Sequence, residues 1–300
     1  GSGIEHIFDG GLWIGGIIRG NSEPFVTTGA VDATSVSARG GGFEFTNALG
    51  EKVVERSSLF DSPAYQPSAI SHQDFVMDYT DSNTVLPGTN NEPITGHNPL
   101  KVTIHQETYA WNFPFADFFV IMNYTIKNSS AKFIDSVYVG LWTDAVVRNT
   151  RITGRPSGSA FFNKGGNGYN DSIKIAYEFD SNGDPGFTDS YLGIQYLGSE
   201  PRLADKILVQ GDSISTVNFV SWQFRNTEDP NFFFFFDDMG RFSKMHGYFG
   251  GANRWKDGIN PSSLKTPSNR SIFLSNGPFS SIAPGDSINV VFAIVTAKKY

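Results

Sequence analysis

An all-β fold, an antiparallel two-sheet β-sandwich with long loops, follows from three features of the chain. Apolar residues alternate with period two in several segments, no window of a dozen residues carries a 3.6-residue stripe, and turn-forming residues separate the runs. Gly (32) and Pro (15) interrupt helices throughout, while 39% hydrophobic and 14% aromatic content suffices for a packed core and excludes disorder. Ten or more strands with no helices between them pair antiparallel, because parallel crossovers need long connections. A barrel is the alternative closure. A propeller is not expected, since no repeat of about 40–50 residues is present.

The first strand is expected at 11–19, within Gly10-Gly11-Leu12-Trp13-Ile14-Gly15-Gly16, where glycines mark bulges or close sheet contacts. A second lies at 53–58. In Lys101–Trp111, Val102 and Ile104 oppose Lys101, Thr103, His105 and Glu107, which puts His105 on the solvent face. In Phe118–Lys127 the apolar face is Phe118, Val120, Met122, Tyr124 and Ile126. Asn128-Ser129-Ser130 then turns the chain toward a strand opening near Phe133, which predicts a hairpin. A strand at 137–147 carries Tyr138, Trp142 and Asp144 on one face.

In Ser172–Asp180 the apolar face is Ile173, Ile175, Tyr177 and Phe179, and the polar face is Ser172, Lys174, Glu178 and Asp180. Further strands fall at 191–197 and 270–274. Val217–Arg225 switches apolar parity between Phe219 and Val220, which predicts a β-bulge, and it aligns Trp222 with Val220 and Phe224 as core. The turn Ala283-Pro284-Gly285-Asp286 opens a last strand through Ile288, Val290, Phe292 and Ile294.

One domain over 1–300 is expected, with a long surface loop at about 80–99 (TDSNTVLPGTNNEPITGHNP). The alternative division is an N-terminal β subdomain at 1–85 and a main sandwich at 100–300. The chain opens with Gly1-Ser2-Gly3 and stops inside a strand pattern at Tyr300, as expected of a segment of something larger. No apolar run approaches the ~20 residues of a membrane helix. A net charge of −7 leaves no basic stripe for nucleic acid. The absence of cysteine excludes disulfides, thiolate metal sites and cysteine nucleophiles.

Asp (20) outnumbers Glu (10), a bias suited to turns and loop cation sites. The sharpest local motif is Asp180-Ser181-Asn182-Gly183-Asp184-Pro185-Gly186-Phe187-Thr188-Asp189. Oxygen side chains at Asp180, Asn182 and Asp184 converge if this glycine-containing loop curls, and Asp189 closes the shell, so Ca²⁺ is the expected ion. The motif departs from an EF-hand in the position of its glycine, in Tyr191 where a bidentate Glu would stand, and in lacking flanking helices. The alternative is a solvated turn. Asp144 is a non-local ligand if its strand neighbours 172–180. Phe232–Phe236, ending in Asp237-Asp238, reads as a buried or interface strand followed by a turn. The five His (6, 72, 97, 105, 246) have no zinc spacing, and no nucleophile elbow or phosphate loop is present. His246–Trp255 is glycine-rich without alternation, and Tyr248 and Trp255 in it form a candidate exposed platform for a glycan.

The strings GLWIGGIIRG (11–20), ERSSLFDSPAY (55–65), HQETYAWNFPFADFFVIMNYTIKN (105–128), FIDSVYVGLWTDAVV (133–147), YEFDSNGDPG (177–186) and SIAPGDSINVVFAIV (281–295) resemble large secreted proteins of Bacteroidetes-type bacteria. Such proteins carry an export signal before, and a type IX secretion sorting domain after, a segment of this kind. The resemblance implies extracellular or cell-surface residence and β-sandwich modules, and it implies no activity. Asp-Ser-Ile/Val triplets at Asp135, Asp171, Asp212 and Asp286 resemble the O-glycosylation sequon of those bacteria.

With no catalytic signature, the expected function is a non-catalytic structural or adhesive surface protein with a calcium-stabilised loop, self-associating through strand edges or engaging a cell-surface glycan. The alternatives are a carbohydrate-binding module and a polysaccharide-active hydrolase with an unrecognised carboxylate site.

Overall fold

A computed structural model describes residues 3–31, 41–47, 49–152, 164–183, 185–209, 211–223, 238–246, 248–249, 252–253 and 265–298. The chain folds as the predicted all-β sandwich of two antiparallel sheets. In chain order the strands are β1 (Ile4–Ile18), β2 (Phe25–Thr28), β3 (Val54–Arg56), β4 (Gln73–Thr80), β5 (Val102–Ala110), β6 (Phe119–Asn128), β7 (Ile134–Asn149), β8 (Gly165–Asn170) and β9 (Ile175–Asp180). They continue with β10 (Ser190–Glu200), β11 (Lys206–Val209), β12 (Asp212–Ser215), β13 (Val217–Gln223), β14 (Tyr248–Phe249), β15 (Ala252–Asn253), β16 (Arg270–Ile282) and β17 (Ser287–Lys298). One sheet has the order β13-β16-β7-β1-β2, and the other β3-β4-β5-β6-β17-β10-β9-β8.

The sheets bury their facing sides against each other. Leu12, Ile14, Val139, Leu141, Phe219, Ile272 and Leu274 of the smaller sheet meet Val102, Ile104, Tyr124, Ile126, Leu192, Val290 and Phe292 of the larger. The parity switch in β13 is not a bulge. Its pairing with β16 runs unbroken from Val217↔Asn276 to Gln223↔Arg270, because the smaller sheet is covered on both faces. Phe219 points to the sandwich interior while Val220 and Trp222 point outward, and all three are buried. Bulges occur instead in β1, where the register with β7 shifts at three places; the shift between Gly15 and Ile17 falls at the expected glycines, and the two between Glu5 and Asp9 precede them. Gly11 lies so close to β2's continuation that a Cβ there would sit 2.4 Å from the Ala30 nitrogen.

The outer face of the smaller sheet is covered by a helix, an element the strand pattern did not predict. This helix, α1 (Asp238–Met245), drops Phe242 and Met245 onto Trp13, Val26, Tyr138, Trp142, Val220, Trp222 and Phe273. The Lys244 ammonium sits 3.7 Å from the centroid of the Trp222 ring, and Ser275 Oγ donates to the Met245 carbonyl at the helix end. At eight residues, α1 is too short to be stable alone and forms because this aromatic floor receives it. The Phe232–Phe236 run and Asp237 lie outside the described residues.

The expected hairpin after β6 is also corrected, since β6 and β7 belong to different sheets. Asn128 is fully buried and makes the corner: its Nδ2 donates to the Lys132 carbonyl (2.8 Å) and the Ile282 carbonyl (2.9 Å), and its Oδ1 accepts from the Ser130 amide. The second corner, 283–286, is a hydrogen-bonded turn with Gly285 at φ +84°, and it exchanges backbone bonds with Asn128. Asn128→Ala is expected to lower stability by about 1–3 kcal/mol, since two buried carbonyls lose their donor. A urea unfolding curve measures it. The 80–99 excursion is a pinned loop: Leu86 and Ile94 are buried, and Leu86 and Ile94 amides bond to Glu92 and Thr84 carbonyls.

Candidate functional site

The loop ends of the larger sheet expose aromatic side chains. Between β5 and β6 the sequence WNFPFADF (111–118) sets Trp111, Phe113 and Phe115 at alternate positions, but Pro114 has no amide to pair and the segment runs through turns instead of a strand, so its rings are not laid on a sheet face. Phe115 is 73% exposed, Phe113 42% and Phe118 43%. Phe113 and Phe115 stack at 5.2 Å with an interplanar angle of 5°, and His72 meets Phe113 edge-on at 4.4 Å. The β3–β4 loop beside it presents Phe60, 87% exposed, against Tyr65 at 4.9 Å.

Buried ionic groups hold these loops. Asp74 is fully buried and accepts from the Ile70 amide (2.8 Å), the Ser71 amide (2.8 Å) and Ser71 Oγ (2.5 Å). Arg56 reaches both Asp74 and Glu107, at 3.3 and 2.8 Å. Burial alone would raise the Glu107 carboxyl, but the Tyr109 hydroxyl and Arg56 outweigh it and hold its pKa below the usual value.

Pro114, Asp117 and Phe118 of the aromatic loop form one wall of an open cleft of about 1070 Å³. The opposite wall holds His6, Arg151, Thr188, Asp189 and Ser190. His6 Nε2 lies 2.7 Å from Ser190 Oγ, and Ser190 Oγ lies 2.7 Å from Thr188 Oγ1. His6 Nδ1 lies 3.2 Å from the Val146 carbonyl, which makes Nδ1 the protonated nitrogen and Nε2 the acceptor. Burial lowers the His6 pKa, so the ring is neutral near pH 7. A carbonyl rather than a carboxylate orients this imidazole, and the bonds tie β1, β7 and the start of β10 together.

The sequence-predicted calcium loop divides into different roles. Asp180 Oδ1 accepts from the Asn182 amide (3.2 Å) and the Gly183 amide (3.3 Å), an Asx turn with Gly183 at φ +64°. Asn182 is exposed, and Asp189 is exposed and lines the cleft. Asp184 lies outside the described residues. Among the described residues no three His, Asp or Glu side chains are grouped to hold a metal. Tyr248 opens the short β14–β15 hairpin, while its side chain and the whole of Trp255 lie outside the described residues.

The face reading of 172–180 is inverted. Ile173 is 52% exposed, whereas Ala176 and Glu178 point into the sandwich at 0%. The reason lies in the neighbouring strand. β8 is GGNGYN, and Tyr177 lies over the bare Cα of Gly168 on the outer face. Tyr177, Phe179 and Tyr191 then form an aromatic row there at about 6 Å spacing (6.1 and 6.0 Å). Glu178 takes the inward position against Gly165, where a Cβ would meet its Oε1.

Both Glu178 carboxyl oxygens are buried without a hydrogen bond. Burial pushes its pKa well above the usual range, the Asp144 charge adds to this, and Arg270 opposes it. β7 and β9 belong to different sheets, and Glu178 is the group that feels the Asp144 charge between them. A lone acid between two aromatics was the available signal for it.

Among the described residues the outermost strands of the two sheets are short. β2 has four residues, β3 three, β8 six and β13 seven, and Gly165 of β8 is already bridged to Ser268. No helix among the described residues is long and apolar enough to cross a membrane. No protein-family model matches the chain, and no curated protein matches it in sequence.

Proposed function

We propose that this chain is a non-catalytic adhesive module of a cell surface, gripping a carbohydrate chain along the cleft beside the aromatic loop. The observation that carries the reading is the continuity of exposed rings with a polar cleft: Phe113, Phe115 and Phe118 lead into a cleft lined by Asp117, Asp189, Arg151, Thr188 and Ser190. Sugars are recognised by this combination, since apolar C–H faces lie on rings while hydroxyls bond to carboxylates and guanidinium groups. Extracellular residence belongs to the same proposal. The short, partly covered edges make strand pairing between copies a weaker basis for adhesion than the loop end.

Affinity electrophoresis in polysaccharide gels and a glycan array test it. The wild-type chain is expected to be retarded by at least one polysaccharide, and Phe115→Ala and Asp189→Ala are each expected to weaken binding about tenfold with unchanged circular dichroism. Absence of any glycan binding, or equal binding by both variants, overturns the proposal. Concentration-dependent sedimentation without glycan binding would replace it with self-association, and labelling of Ser190 by a fluorophosphonate would replace it with a hydrolase.

A further inference from the structure

A second cavity lies between the sheets, away from the aromatic loop. Its volume is about 510 Å³, within the range of small-molecule sites. Ile7, Leu12, Phe45, Met77, Met122, Leu141 and Ile294 supply an apolar wall. Gly10 and Gly11 of β1 and Gly29 after β2 lie along it without side chains. Two methionines give the wall side chains that re-pack readily around different shapes.

The polar side chains in this wall, those of Thr46, Asn47, Tyr79, Gln106, Tyr124 and Thr143, are all neutral. Thr143 is 4% exposed and its hydroxyl is buried without a hydrogen bond. Tyr124 is 2% exposed, and burial raises its pKa, so its hydroxyl stays protonated. Tyr79 donates to Gln106 Oε1 at 2.9 Å, which leaves the Gln106 amide hydrogens as donors. Lys, Arg, His, Asp and Glu are absent from the described lining.

These features select a ligand by its chemistry. An apolar body of modest size gains by leaving water for this wall. A side-chain amide whose hydrogens face the cavity without a protein acceptor gains from a ligand oxygen. A charged ligand finds no counter-ion among the described lining residues. We infer that the inter-sheet cavity is a binding site for a neutral, predominantly apolar small molecule bearing one hydrogen-bonding oxygen, held by the Gln106 amide. This site is independent of the glycan cleft and stands whether or not that cleft binds sugar.

The neutral fluorophore 1-aminoanthracene serves as the probe, with the intact chain at pH 7. It is expected to saturate at one equivalent and to be displaced by 1-decanol at least about tenfold more effectively than by decanoate, which differs by its charge. Met122→Trp fills the cavity and is expected to abolish saturable binding while leaving the circular dichroism spectrum intact. Gln106→Leu removes the amide donors and is expected to weaken decanol about fivefold. Non-saturable probe binding, equal displacement by decanoate, or unchanged binding in a folded Met122→Trp chain would each overturn the inference. If Met122→Trp fails to fold, the Gln106→Leu comparison decides: equal decanol affinity rejects the assigned site.

Discussion

Arg241→Ala is expected to destabilise the protein by about 3–5 kcal/mol, the cost of removing one partner from a buried ion pair. Arg241 is 4% exposed on α1, with Nη1 3.7 Å from Glu44 Oε1 and 3.7 Å from Asp238 Oδ1. Glu44 is fully buried and also accepts from Thr28 Oγ1 (2.9 Å) and the Phe43 amide (2.9 Å). Burial raises the Glu44 pKa, and the Arg241 charge is the largest effect pulling it back down. Without Arg241 the carboxylate keeps its desolvation and loses its cation. The deficit therefore shrinks as pH falls through Glu44's folded-state pKa, where the carboxyl takes up a proton and needs no partner. Urea unfolding at pH 7 and pH 4 measures both effects. Glu44→Gln in the Arg241→Ala background should restore part of the loss at pH 7. An Arg241→Ala chain as stable as wild type at pH 7 would mean that α1 docks through its apolar residues alone.

The second large effect concerns Glu178. Its folded-state pKa is raised, while in the unfolded chain it titrates near 4.5. Below 4.5 both states are protonated and the group costs nothing. As pH rises above 4.5 the unfolded chain releases the proton while the folded chain keeps it, so stability falls until the folded-state pKa is passed. Glu178→Gln resembles the protonated form and removes this slope. The advantage of the variant over wild type is expected to be near zero at pH 4.5 and to grow by about 1.4 kcal/mol per pH unit above it, until the folded-state pKa is reached. Parallel stability–pH curves for the two proteins would contradict the buried placement of Glu178.

Much of the strand set was legible because alternation is a local property. The strands expected at 137–147, 191–197 and 270–274 lie within β7, β10 and β16, and the one at 11–19 matches the second half of β1, which ends at Ile18. Met122, Tyr124 and Ile126 take the inward face of β6 as their spacing required, while Phe118 and Val120 at its outer end are exposed. The aromatic loop was visible in the sequence only as the Pro114 break between two alternating runs, since Trp111, Phe113 and Phe115 themselves continue the alternation. The role of its rings depended on which loops lie beside it, and His72, forty positions earlier, is set there by β4 pairing with β5 through Gln73↔Ala110.

What the sequence determined by itself is the class of the fold: period-two patterning, turn chemistry and the scarcity of helical stripes leave sheet packing as the way to bury its apolar residues. The tertiary structure decided the facing of individual side chains. Glu178 points inward because β8's glycines make room for Tyr177 and Gly165 makes room for the carboxyl. Val220 and Trp222 are buried on the outer face because α1 covers it. Asn128 turns a corner rather than a hairpin because its acceptors, Lys132 and Ile282, lie 4 and 154 positions away. The physical reason is common to all three. Alternation says which residues share a face, but only the neighbours brought in from distant sequence say whether that face meets water, another sheet or a helix.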